Sequence, residues 1–155
     1  MRRLVLALLA TLFVLGGCDR SPTTASKPPS TDDLIGTYGY VTKNSGQVMP
    51  LLKVTKEGQE YQLFEFSHDH WRRPRTSMLL GGDRTLQEVR PFTRADLERL
   101  THHAVDVEPI GLQTKALALI SVPAGWSDGA KEKPFVTKTG YFAMTVVGPV
   151  ELQRM

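Results

Sequence analysis

A chain of 155 residues, 41% hydrophobic and 23% charged, suffices for one domain with a modest core. Its pI near 9.1 owes part of its height to Arg2 and Arg3; without them Lys plus Arg fall from 19 to 17 against 16 acidic residues, a balance that gives no footing for nucleic-acid binding. The single cysteine, Cys18, excludes an internal disulfide.

Arg2 and Arg3 open the chain, and an apolar run from Leu4 to Leu15, broken only by Thr11, ends at Gly16, Gly17 and Cys18. A basic start, a short apolar stretch and small residues at its end are the layout of a secretory signal peptide, expected over residues 1–17. The run is too short to cross a bilayer, which takes about 20 apolar residues. Leu15, Gly16, Gly17 and Cys18 resemble the lipobox of bacterial lipoproteins. That resemblance implies a diacylglycerol on the Cys18 sulfur, cleavage just before it and acylation of the new amine. One acyl chain binds a bilayer only marginally, at about 0.8 kcal/mol per buried methylene, so two or three chains make a lasting anchor. By resemblance to enteric lipoproteins, Asp19 directly after the cysteine favours retention at the inner membrane, facing the periplasm, with the outer membrane as the alternative.

Residues 19–33 hold three prolines, many Ser and Thr, and no large apolar side chain, so burial cannot offset the cost of ordering them. With Cys18 they read as a lipidated flexible tether with a typical reach of roughly 20 Å. Residues 34–155 then form a single domain facing the periplasm.

Within it, short apolar stretches alternate with turn residues, the pattern of strands and hairpins. Residues 34–43, 48–56 and 60–67 read as a three-stranded meander punctuated by Asn44, Ser45, Gly46 and by Glu57, Gly58, with Pro50 placed near a strand end or on an edge. Residues 76–80 and 84–90 flank the turn residues Gly81, Gly82 and Asp83. A helix near 94–103 is signalled by Thr93 as N-cap, Asp96 three residues on, and Phe92 set to pack against Leu97. Residues 115–122 read as a strand buried on both faces. Residues 136–147 alternate as a strand with a kink at Gly140, and Gly148 and Pro149 turn it into a last strand with Val150 and Leu152.

The expected fold is therefore mainly β: a curled antiparallel sheet or small barrel of about seven or eight strands with one short helix. Leu34, Ile35, Gly36, Thr37, Tyr38, then Leu51, Leu52, Lys53, Val54, Gly58 and Tyr61, resemble the start of lipocalin-like lipoprotein domains. The alternative to a protein-binding role is a carrier whose barrel interior holds a small apolar ligand or lipid, with Tyr38, Tyr40, Phe64, Phe66 and Phe142 as residues that line or fill it.

Three constellations carry chemistry. Gly125, Trp126, Ser127, Asp128 and Gly129 match the Gly-x-Ser-x-Gly nucleophile elbow, yet His68, His70, His102 and His103 all precede the serine, and Ala130 to Pro134 leave no room for the required helix. A loop between strands is expected there, with no catalytic set. His68 and His70 would share one face of a strand, with His102 or His103 as a third ligand, but no zinc signature accompanies them and neither metal nor cofactor is expected. Trp71, Arg72, Arg73 and Arg75, joined by Trp126, combine the side chains that most often anchor interfaces. The expected role is non-catalytic binding of another envelope protein, in one form an inhibitor or immunity protein.

Overall fold

The computed structural model describes residues 29–75 and 86–155. The expected signal segment, Cys18, Asp19 and the 81–83 turn with the strand at 76–80 lie outside the described residues.

The strands are β1 (Gly36–Val41), β2 (Val48–Glu57), β3 (Glu60–Ser67), β4 (His70–Arg72), β5 (Arg90–Phe92), β6 (Ile110–Gln113), β7 (Ala118–Ser121), β8 (Tyr141–Thr145) and β9 (Gly148–Arg154). One helix, α1 (Arg94–Thr101), follows β5. The strands form one sheet in the order β4-β3-β2-β1-β9-β8-β7-β6-β5, with every pairing antiparallel. Two meanders are thus joined through β1 and β9, and the sheet curls into a half-barrel. The mainly β expectation holds, with nine strands among the described residues where about seven or eight were expected of the whole domain.

Cross-strand pairs share a face, so the register assigns each side chain to the inner or outer face. Tyr38, Leu52, Val54, Leu63, Leu112, Leu119, Ala143 and Leu152 line the inner face and pack with Leu34 as the main core. Each of these side chains is at most 2% exposed, and full burial of one such leucine contributes about 1.5–3 kcal/mol. Tyr38 stacks obliquely on Tyr141 at 5.4 Å and donates its hydroxyl to the Leu34 carbonyl at 2.8 Å. Burial, partly offset by Arg154 and reinforced by Tyr141, pushes its pKa up to about 12. A second core lies on the outer face of the C-terminal half, where Phe92, Leu97, Ala118, Ile120, Val122 and Phe142 meet under α1.

Residues 31–33, read from composition as the end of a tether, are folded. Thr31–Leu34 form a 3-10 turn that packs against β6, and Asp32 and Asp33 belong to the fold. The Asp33 carboxylate accepts from the Ser30 backbone N at 2.7 Å. Asp32 Oδ1 accepts from Lys56 Nζ and from the Tyr61 hydroxyl, both at 2.7 Å. Arg154 donates to the carbonyls of Asp33 and Ile35. The β1 strand therefore begins at Gly36 and not at Leu34.

Pro50 stands in the middle of the N-terminal meander, and a bulge makes that possible. The β1–β2 register shifts between Tyr38 and Gly39, while β3 pairs with β2 from Leu52 onward. Pro50 lies beyond that pairing, so its missing N–H is not demanded by β3.

The helix forms as its sequence dictates and ends two residues early. Thr93 Oγ1 accepts from Asp96 N at 3.3 Å, and the Asp96 carboxylate accepts from Thr93 N at 3.0 Å. Phe92 and Leu97 share the second core, as a hydrophobic staple requires. His102 then adopts a left-handed conformation (φ 60°) and terminates α1. Asp96, 4% exposed, fastens α1 to the sheet by accepting from Gln113 Nε2 at 2.6 Å, and accepts from Arg99 of its own helix at 2.9 Å. Burial alone raises its pKa; the hydrogen bonds from Thr93, Arg99 and Gln113 outweigh that and hold the carboxyl well below the usual range.

Candidate functional site

The strand pleat divides the Trp/Arg segment. Trp71 and Phe66 pair across β4 and β3 on the outer face, with ring centroids 5.0 Å apart in an edge contact. Lys53 Nζ lies 5.5 Å from the Trp71 ring and 5.6 Å from Phe64 on the same face. Arg72 pairs with Glu65 on the inner face, Nε to Oε1 at 2.9 Å. Arg73 is half-buried, and Arg75 is exposed in an isolated bridge to Leu86. Trp71 and Arg72 thus do not form one contact surface: neighbouring residues of a strand point opposite ways.

Trp126 does not join Trp71 either. Its indole stacks on Phe142 at 5.7 Å, 8° from parallel, with Phe135 on the other side of that ring's environment. It is part of the second core, and four strands (β3, β2, β1 and β9) separate β4 from β8 in the sheet. The sequence-predicted partner residues are therefore dispersed over both faces.

The histidine reading fails on backbone geometry. His68 and Asp69 occupy a two-residue turn with φ of 53° and 63° between the paired residues Ser67 and His70, so His68 and His70 do not alternate along one strand. His68 Nδ1 meets Ser67 Oγ at 2.8 Å, and His70 Nδ1 donates to the His68 carbonyl at 2.7 Å. His103 Nδ1 donates to the Thr101 carbonyl. Among the described residues, no three His, Cys, Asp or Glu side chains come together as metal ligands.

The Gly-x-Ser-x-Gly segment is built as a narrow excursion between β7 and β8. It closes where Val122 N donates to the Gly140 carbonyl at 2.9 Å, and its two limbs are tied by Gly125 N to Thr137 O and Thr137 N to Trp126 O. No helix follows Ser127, which instead bridges Val136. Ser127 Oγ accepts from Gly129 N, and Asp128 Oδ1 accepts from Ala130 N and Phe135 N. These are turn-stabilising bonds, and the strand–turn–helix geometry of a nucleophile elbow is absent here.

The five aromatic residues expected to line or fill one interior also separate. Tyr38 and Tyr40 belong to the inner-face core, whereas Phe64, Phe66 and Phe142 lie on the outer face.

What the fold does assemble is a cleft of about 830 Å³ on the C-terminal side of β1, where Val41, Thr42 and Lys43 face Pro149, Glu151 and the 135–139 limb of the excursion. That limb is held by one carboxylate: Glu151 Oε1 accepts from Thr137 Oγ1, Lys138 N, Thr139 N and Thr139 Oγ1 at 2.8–3.2 Å. A smaller cleft of about 240 Å³ between α1 and Trp126 adjoins it through Phe135 and Pro149. Sequence reasoning missed both. Glu151 sits in an unremarkable strand pattern, and no local motif marks the residues that line either cleft.

Comparison with family models, with curated proteins and with solved structures finds no match to this chain.

Proposed function

We propose that this chain is a lipoprotein, acylated at Cys18, that holds a non-catalytic protein-binding domain at the periplasmic face of a bacterial membrane. The observation that carries the anchoring is the run from Leu4 to Leu15 ending in Leu15-Gly16-Gly17-Cys18, a short distance ahead of a folded domain that starts near Thr31. Asp19 favours the inner membrane. Support for protein binding comes from apolar side chains that share one cleft: Val41 and Val136, each about half exposed, line its walls, and contiguous exposed apolar surface marks interaction sites. An inhibitor or immunity protein, kept beside its target by the anchor, is the form that suits a small domain of this kind.

The alternative, a lipocalin-like carrier, draws less support, because Tyr38, Leu63, Leu119 and Leu152 on the inner face are at most 1% exposed. Crosslinking in intact cells followed by purification of the full chain tests the reading. A single envelope protein recovered in stoichiometric amount is the expected result; a co-purifying small apolar molecule with no protein partner would favour the carrier.

A further inference from the structure

The register sorts the turns onto two ends of the sheet. The 3-10 turn at Thr31–Leu34, the β2–β3 turn at residues 58–59 and the last residue of β9 lie at one end. The β1–β2 turn at 42–47, the β3–β4 turn at 68–69, the β6–β7 turn at 114–117 and the β8–β9 tip at Val146 and Val147 lie at the other. Chain entry is pinned at the first end by Lys56, Tyr61 and Arg154. The ten-residue strand β2 spans about 34 Å at some 3.4 Å per residue.

We propose that the cleft between Val41 and Val136, which runs from the second end along β9 beneath a limb of the excursion rooted at the first end, is a docking site for an acidic segment of a partner protein that carries apolar side chains. Its apolar part would fill the cleft, whose walls include Val41 (52% exposed) and Val136 (47%). Its acidic part is called for by charge. Lys43 and Lys138 line the cleft. Neither is in an ion pair among the described residues. The one carboxylate in the lining, Glu151 of β9, directs Oε1 to four donors of the 137–139 limb. An apolar cleft flanked by unmatched cations selects an apolar, anionic occupant. Val146 and Val147, 83% and 89% exposed, extend the apolar surface at the same end. The direction in which this end faces, away from the bilayer, rests on the anchoring reading; the chemistry of the cleft does not.

A random peptide library displayed on phage is panned against the full chain in nanodiscs. Enriched peptides should combine Asp or Glu with Leu, Ile, Val or Phe. Binding of the best one should fall at least about tenfold, the equivalent of 1.4 kcal/mol, in the Lys43→Glu, Lys138→Glu double variant, and separately in Val136→Asp. Lys133→Glu, outside the cleft, should leave it unchanged. Because Lys43 and Lys138 are exposed, the double variant keeps the fold, and unchanged thermal unfolding confirms it. Enrichment of neutral or basic peptides, or binding indifferent to both cleft variants, overturns the proposal. So does self-association of the chain abolished by Val136→Asp, or binding of phosphatidylglycerol vesicles through Val146 and Val147 with no peptide enriched. Acidic peptide binding by a chain whose Cys18 is found bare sinks the anchor and leaves the cleft standing; an acylated Cys18 without such binding does the reverse.

Discussion

The two ends of the sheet use their side chains differently. At the chain-entry end, polar groups are consumed by the fold itself: Asp32 takes Lys56 and Tyr61, Arg154 takes the carbonyls of Asp33 and Ile35, and the buried Tyr38 hydroxyl takes Leu34. At the opposite end, cations stand without partners among the described residues and valines stand in water. Side chains spent on internal contacts set stability, and side chains left over are available to another molecule. The contrast separates residues whose loss should unfold the domain from those whose loss should be silent until a partner is present.

The largest effect expected at the entry end is that of Leu34→Ala. Leu34 is 1% exposed and ties the 3-10 turn to the inner core, so its truncation should cost about 2–4 kcal/mol in urea unfolding. A loss under 1 kcal/mol would show that the turn is not integral to the domain. Gly140→Ala follows. Its φ of +81° disfavours any side chain, and a Cβ there would lie 2.6 Å from the Val122 carbonyl, so a cost of roughly 1–3 kcal/mol is expected.

Two pH limbs come next. The Asp96 carboxyl is held below its ordinary value of 3.8, so its contribution is complete well above that pH and drains away as pH falls through and below it. The stability gap between the native chain and Asp96→Asn, measured by urea unfolding, should therefore narrow from pH 5 downward; a constant gap contradicts the assignment. Tyr38 behaves in the opposite sense. With its pKa raised from 10.0 to about 12, its contribution is complete below pH 10 and lost as pH rises toward 12. Tyr38→Phe should lack that alkaline limb. The smallest effect on stability belongs to the other end, where Val146→Ser with Val147→Ser should change it by no more than about 0.5 kcal/mol while lowering binding to the peptide selected above.

Legibility in the sequence followed the same division. Strands β1 to β3 were readable because Asn44-Ser45-Gly46 and Glu57-Gly58 punctuate alternating apolar residues, and α1 because Thr93, Asp96, Phe92 and Leu97 each act locally. Strand β6 was missed: it is four residues long, and Gly111 in its middle lowers its strand signal. The glycine is there because a Cβ would meet the Leu119 carbonyl and Phe92 Cβ, both at 2.7 Å, a tertiary fact. Strand β4 was missed because its turn is made by His68 and Asp69 in left-handed conformations without a glycine. The candidate site was the least legible part. It depends on which strands become neighbours, and Val41, Val136 and Pro149 are brought together only by the β1–β9 junction and the Glu151-held excursion.

The contrast between the ends is tested most directly by their distance from the bilayer. A spectroscopic label on Gln59→Cys and, in a separate chain, on Val147→Cys would report quenching by nitroxide-bearing lipids in nanodiscs, with the Cys18 thiol blocked by acylation. Strong quenching at position 59 and little at 147 is the predicted result; equal quenching, or the stronger at 147, would contradict the account.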